Sequence, residues 1–157
     1  MVSDNSFQLR THSDNISSIV VTRMEQLLSK KCSPILPWNE IITPDYIPDR
    51  QISLSGAGTD SEILAIIGMP HKTCATIFTH PLGDDEFLDL FGELAEKCLD
   101  DLLDIPEIVK HIGKINPSIP VLNDGATTFN KFSTGIAGFL TVENAGDIYF
   151  GFFMKNK

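Results

Sequence analysis

The stretch DDEFLDLFGELAEKCLDDLLD, residues 84–104, predicts one long amphipathic helix. Apolar side chains recur in it every three or four residues, which puts them on one face of a helix. These apolar positions are Phe87, Phe91, Leu94, Cys98 and Leu102. The opposite face carries a row of carboxylates: Asp89, Glu93, Glu96, Asp100 and Asp104. Like charges one turn apart repel each other, so this acidic face is either well solvated or meets a partner.

The negative charge of the chain is concentrated around this helix. The formal net charge is -9, and the segment from Pro81 to Glu107 contains ten acids and one base, Lys97. The rest of the chain carries eleven acids and eleven bases, so it is balanced. Such a segment attracts a basic protein surface or a cation and repels the phosphates of nucleic acid. We therefore expect no nucleic-acid partner.

Length and composition predict a single globular domain. With 157 residues and 42% hydrophobic content, the chain is long enough to bury a core. Residues 1–12 are polar and predict a flexible N-terminus without a signal peptide, and residues 13–157 form the domain. No run approaches the roughly 18 apolar residues of a membrane span. Three scattered cysteines indicate reduced, buried thiols in a cytoplasmic protein.

The order of predicted elements indicates an α+β fold. A first helix is expected from about Ile16 to Lys31, followed by a proline-rich extended or edge segment containing Trp38. Strands follow, with a hairpin at Glu62–His80, then the acidic helix and a short helix at Glu107–Ile112. Asn116–Asp124 reads as an extended loop, and strands at Ala126–Phe132, Ile136–Val142 and Ile148–Met154 complete the chain. The apolar run IYFGFFM of the last strand predicts a sheet edge that would need to be covered. We predict a two-layer domain in which two long helices lie on a mainly antiparallel sheet, built from two similar helix-and-hairpin halves.

Other candidate sites are weaker. Gly56-Ala57-Gly58-Thr59 lacks the following lysine and helix of a phosphate loop, which favours a plain turn. His71 and Cys74 have the spacing H-x-x-C without a second ligand pair, so they do not predict a metal site. Cys98 falls on the buried face of its helix, where a thiol is inert. No serine–histidine–acid set is apparent.

Three segments in order carry a resemblance to a known family. DLFGELAE, residues 89–96, resembles the D-x-x-x-E-x-x-N helix of the CheC/CheX chemotaxis phosphatases. ILAIIGM followed by CATIFTH resembles that family's hairpin before the site helix, and PSIPVLNDG with the closing strands resembles its C-terminal half. The likeness spans residues 13–157. It is closest to the single-site CheX branch, because the first helix, TRMEQLLSKK, contains no second E-x-x-N.

This resemblance implies a CheC-like fold, a homodimer and a function in two-component signalling. Such proteins remove the phosphoryl group from the aspartate of a response-regulator receiver domain, and the receiver supplies the divalent cation. The implied catalytic residues are Glu93, which anchors the receiver's lysine, and Glu96, at the position of the water-orienting asparagine. The implied partner-binding residues are Asp89, Glu93, Glu96 and Asp100. No cofactor or metal ligand of its own is implied.

Glu96 departs from the family pattern in a way that matters chemically. An ionised carboxylate cannot donate a hydrogen bond as an asparagine amide does. It also repels phosphoryl oxygens, by roughly 4 kcal/mol for two unit charges 4 Å apart at an effective dielectric of 20. We therefore expect weak or absent phosphatase activity. The alternatives are a non-catalytic, dimeric binding module for a basic protein surface, and a helix whose acidic face is only solvated.

Overall fold

The computed structural model describes residues 7–44, 49–124 and 129–156. Its helices are α1 Ser13–Leu28, α2 His71–Phe78, α3 Asp84–Leu102 and α4 Pro106–Ile112. Its strands are β1 Cys32–Glu40, β2 Arg50–Ala57, β3 Ser61–Met69, β4 Asn116–Pro117, β5 Val121–Asp124, β6 Thr134–Val142 and β7 Gly146–Asn156. None of the helices in these ranges combines the length and apolar content of a membrane span.

All the strands belong to one antiparallel sheet, as predicted. Its order is β1-β6-β7-β3-β2, and β4 and β5 pair with different parts of the outer side of β2. With β5 included, the order is β1-β6-β7-β3-β2-β5. If β1, β2 and β3 are exchanged for β5, β6 and β7, the same order results, read from the opposite edge. The chain therefore consists of two similar halves, each a long helix followed by three longer strands, with the two-residue β4 added in the second half, which confirms the duplicated α+β fold.

The two long helices cover one face of the sheet. The larger apolar cluster combines the inner sides of α1 and α3 with residues of the strands, including Val20, Phe91, Ile52 and Phe150. A smaller cluster around Leu64, Ile66 and Phe153 lies on the sheet's other face. Burial of the helices' apolar faces supplies the main driving force for this arrangement. The acidic face of α3 is thereby left outward.

One predicted strand is a helix. Thr73–His80 was expected to pair with Glu62–Gly68 as a hairpin, because its β-branched residues alternate with others. The hairpin prediction is wrong: residues 71–78 form α2, and β3 instead makes a hairpin with β2. Pro70 stands at the N-cap, and the buried residues Thr73, Cys74 and Ile77 have helical spacing. Because this short segment fits the periodicity of a helix and that of a strand, its packing decides which of the two it forms.

The C-terminal strand also lies elsewhere than expected. The apolar run IYFGFFM was expected at an edge of the sheet, but β7 lies between β6 and β3. Such a strand is buried on both faces, which is why its apolar residues do not alternate with polar ones. β1, with Pro34 and Pro37, is an edge strand, as proline requires.

The boundaries of several segments differ from the predictions. Asn116–Asp124 contains the short strands β4 and β5 instead of only loop. Of the predicted strand 126–132, residues 126–128 lie outside the described residues and 129–132 are not strand. Leu9 is fully buried and donates its backbone N–H to Thr134 Oγ1 at 3.0 Å. The packed domain therefore begins before residue 13.

Candidate functional site

The site helix α3 is fixed to the sheet at its start by a buried arginine. Arg50 on β2 donates hydrogen bonds from Nη1 to the carbonyl of Leu82 at 3.0 Å and to Asp84 Oδ1 at 3.3 Å. Its guanidinium lies 4.2 Å from the centre of the Phe87 ring, a favourable cation–π distance. At the same end, Gly83 is the N-cap, and its N–H donates a hydrogen bond to Glu86 Oε1. These contacts set the position of the helix and hence of its acidic face.

The four predicted partner-binding residues are all exposed on α3. Three of them, Asp89, Glu93 and Glu96, line one open depression of about 220 Å³. Asp100 lies one turn further along the helix and does not line it. The structure thus brings three of the predicted residues together and leaves the fourth beside them.

A glycine in α3 allows a loop to form the far wall of this depression. A Cβ at Gly92 would lie 3.1 Å from Pro120 Cβ, so the helix and the residue before β5 touch here. Glycine inside a helix costs about 1 kcal/mol relative to alanine, and this close approach explains its presence. Sequence reasoning missed Pro120 as a site residue. The signal was the lone glycine in an otherwise strongly helical segment.

A second depression lies between α1 and α3, on the other side of Glu93. It has a volume of about 180 Å³ and is lined by Arg23, Gln26, Leu27, Glu93, Leu94 and Lys97. Arg23 donates to both carboxylate oxygens of Asp101, at 2.6 and 2.9 Å, which joins the two helices. This hydrogen bonding holds the pKa of the Asp101 carboxyl below its ordinary value. Glu93 therefore stands on a ridge between one depression with cations and one with acids.

Glu93 has an ion pair within its own helix. Lys97 Nζ lies 3.3 Å from Glu93 Oε1, four residues further on, and the two side chains are 53% and 59% exposed. An exposed pair of this kind contributes only about 0.3–0.5 kcal/mol. The lysine can therefore swing away when another cation approaches, and the Glu93 carboxylate remains open to a partner.

The chemistry available on this face is that of hydrogen-bond acceptors and negative charge. Burial raises the pKa of the Cys98 thiol to about 12, so it is not a nucleophile at neutral pH. All three cysteines are free and buried, as predicted. His71 is exposed on α2, whereas Cys74 is buried with its Sγ 3.6 Å from Arg50 Nη2. Throughout the described part of the chain, no three histidine, cysteine or acidic side chains are grouped as metal ligands.

Comparisons with known proteins give a consistent answer at the level of the fold. No family profile matches the sequence, and no curated protein matches it significantly. Solved structures do match. The chemotaxis protein CheX from Vibrio vulnificus has a TM-score of 0.67 and 14% identity, over 89% of this chain and 96% of its own. A CheC-like superfamily protein from Shewanella has a TM-score of 0.66 and 15% identity, over 99% of each chain.

A third match was solved together with another protein. The CheX-CheY-BeF3-Mg+2 complex from Borrelia burgdorferi has a TM-score of 0.64 and 12% identity, over 90% of this chain and 96% of the matched one. At these identities the likeness concerns the course of the backbone. It assigns no role to any side chain of this protein.

Proposed function

Because this chain has the fold of the CheC/CheX chemotaxis proteins, we propose that it binds the receiver domain of a response regulator through the acidic face of α3. The observation that carries the proposal is the grouping of Asp89, Glu93 and Glu96 around one open depression. A role in chemotaxis or related two-component signalling in the cytoplasm follows from that partner. The matched complex from Borrelia burgdorferi, a CheX with a CheY, supports the choice of partner.

The mechanism of binding is charge pairing at an exposed ridge. Glu93 gives up its weak contact with Lys97 and pairs with a lysine of the receiver, while Asp89 and Asp100 extend the negative surface on either side. The acidic patch speeds encounter with a basic surface and sets orientation. Any divalent cation at the phosphoaspartate comes with the receiver. This protein contributes no cofactor.

Catalysis is the part of the family's activity that we do not expect in this protein, and Glu96 is the reason. Phosphoryl transfer requires a positioned water and stabilisation of the charge on the phosphoryl oxygens. The Glu96 carboxylate supplies negative charge where a donor is needed. We therefore propose that the protein holds the phosphorylated receiver and shortens the lifetime of its phosphate little or not at all.

Binding is tested by calorimetric titration with receiver domains from the same genome, each loaded with Mg²⁺ and beryllium fluoride. Wild-type protein is expected to bind one of them, and Glu93→Gln to bind it about tenfold more weakly. Glu107→Gln, at an exposed position of α4, serves as the matched control and should bind like wild type. If Glu93→Gln binds as well as wild type, the receiver does not dock on this face.

The second candidate function is a dimeric, non-catalytic module for another basic protein. Glu96 favours it, because this residue disables the family's chemistry without reducing the negative surface. The two functions differ in the partner: in this case no receiver domain binds, and a basic protein does so in a salt-sensitive manner. Light scattering gives the mass, and a value near twice 17.3 kDa is expected for the homodimer.

A further inference from the structure

A depression of about 420 Å³ lies on the face of the sheet opposite to α1 and α3. Ser53 and Ser55 of β2 line it, and they alternate with Ile52 and Leu54, which are buried in the larger apolar cluster beneath the helices. Leu64 of β3 also lines it and belongs to the smaller cluster on this outer face. The depression is larger than the two beside α3, of about 220 and 180 Å³. It falls within the range of about 300–1,000 Å³ that is typical of small-molecule sites.

One side of this outer-face depression is apolar and anchored. Leu64, Phe129 and Phe132 form it, and the centre of the Phe132 ring lies 5.7 Å from that of Phe153. The Phe132 N–H donates to the carbonyl of Ile42 at 2.7 Å, which ties this segment to the chain that follows β1. Phe129 and Phe132 are only partly buried. The depression therefore offers aromatic surface to a ligand, and the anchored Phe132 requires little further ordering on binding.

Two opposite charges stand next to this apolar surface. Glu62 on β3 and Lys155 on β7 both line the depression and are directly opposite each other in the strand register. The Lys155 ammonium lies 5.8 Å from the centre of the Phe132 ring. Neither charged group forms an ion pair or a side-chain hydrogen bond with another of the described residues. The carboxylate and the ammonium are therefore both available to a ligand.

The charges around the depression select the class of ligand. Among its described lining residues there are one acid and one base, so an anion gains one attraction and meets one repulsion. A molecule that has both an ammonium and a carboxylate gains a charge-assisted hydrogen bond at each end. The side chains of Asn116 and Asn130 also line the depression and supply amide donors for a carboxylate. The adjacent rings accommodate an apolar group joined to these two charges.

We propose that this depression is a binding site for a free α-amino acid with an apolar side chain. Glu62 accepts hydrogen bonds from the ammonium of the ligand, and Lys155 donates to its carboxylate. The side chain of the ligand packs on Leu64, Phe129 and Phe132. The site lies across the sheet from the acidic face of α3, so it does not depend on the proposed binding of a receiver.

The site is tested by titrating the full chain with leucine, with phenylalanine, and with two analogues of phenylalanine that each lack one charge, phenethylamine and 3-phenylpropionate. We expect saturable binding of the amino acids. Each analogue should bind about tenfold more weakly than phenylalanine, because one hydrogen bond between charged groups is lost. Amide chemical shifts followed by NMR should change in β2, β3 and β7 and stay constant in α3.

Substitutions of the two charged residues distinguish the two ends of the ligand. Glu62→Gln should weaken the binding of phenylalanine about tenfold and leave that of 3-phenylpropionate unchanged. Lys155→Gln should weaken phenylalanine to a similar extent and leave phenethylamine unchanged. The same changes at exposed positions of α4, Glu107→Gln and Lys110→Gln, are matched controls and should bind like wild type. Thermal unfolding of each variant checks that it is folded.

The site would be overturned if neither amino acid bound saturably, or if both analogues bound as well as phenylalanine. It would equally be overturned if Glu62→Gln and Lys155→Gln bound phenylalanine as wild type does. Glu93→Gln should leave the binding of phenylalanine unchanged. Failure of the receiver to bind therefore leaves this site standing, and failure of the amino acids to bind leaves the proposed function standing.

Discussion

At the scale of one residue, Glu96 has the largest chemical consequence on the site face. It is exposed, lines the depression beside Glu93, and is an acceptor without a donor when ionised. The backbone around it is a regular helix with the CheC/CheX fold beneath. Under the proposed function, we therefore expect the Glu96 side chain, and not the scaffold, to limit phosphatase chemistry.

Glu96→Asn should therefore create activity. We expect the phosphate on a bound receiver to be lost on the order of 100 times faster than with wild-type protein, because one well-placed hydrogen-bond donor changes a reaction rate by about that factor. Loss of phosphate is measured with radiolabelled or fluorescently monitored receiver. Glu107→Asn makes the same substitution at an exposed position of α4, outside the depression, and should leave the decay unchanged. Unchanged decay with Glu96→Asn would show that more than this residue is missing.

Lys97 gives a second prediction at the same scale. Its Nζ lies 3.3 Å from Glu93 Oε1, and it is a positive charge on the face that we propose binds a basic partner. Lys97→Gln should tighten receiver binding about twofold, because an exposed ion pair one turn apart contributes a free energy of about that size. Titration calorimetry measures this, with Lys110→Gln, at an exposed position of α4, as control. Weaker binding by Lys97→Gln would mean that the lysine itself contacts the partner.

At the scale of elements, the important contact is that between the helices α1 and α3. The Arg23–Asp101 pair is the bidentate contact across it, with both side chains 31% exposed. Asp101 has a pKa lowered first by its hydrogen bond from Arg23. A lowered pKa in the folded state means that the pair stabilises the fold above the unfolded carboxyl's pKa, about 4, and ceases to do so as the pH falls through the folded value.

The stability of Asp101→Asn should therefore depend on pH in a defined way. At pH 7 the variant should unfold at lower denaturant concentration than wild type, and the difference should shrink as the pH falls below about 4. Urea unfolding at a series of pH values measures both. Asp100→Asn, the exposed neighbour, should show no such difference at pH 7. If the difference in unfolding between Asp101→Asn and wild type stayed constant down to acid pH, it would have a cause other than this carboxylate.

At the scale of the whole molecule, the charge distribution has a kinetic consequence. One segment carries the entire excess of -9, and seven of its ten acids are exposed on α3. Such a field raises the rate of encounter with a basic partner and is screened by salt. The association rate with the receiver should fall about tenfold from 10 mM to 200 mM salt, with a smaller change in the dissociation rate. Stopped-flow mixing measures both, and a rate indifferent to salt would contradict a role for the patch.

The residues of α3 determine the helix, its buried side and its acidic side without reference to the rest of the chain. Its apolar spacing is long and regular, so the periodicity signal is strong. The resemblance likewise pointed to the CheC-like fold from short motifs in order. α2 was missed because eight residues with β-branched side chains fit two periodicities, and contacts with distant residues decide between them.

Only the folded molecule shows what surrounds the acidic face. Pro120 reaches α3 because β5 pairs with β2, and Arg50 fixes the helix start from another strand. The central position of β7 likewise depends on pairing with both β3 and β6. These contacts join residues far apart in the chain, and no local pattern specifies which strands become neighbours. Periodicity gives each element its faces, whereas packing of the elements against each other determines what lies next to the site.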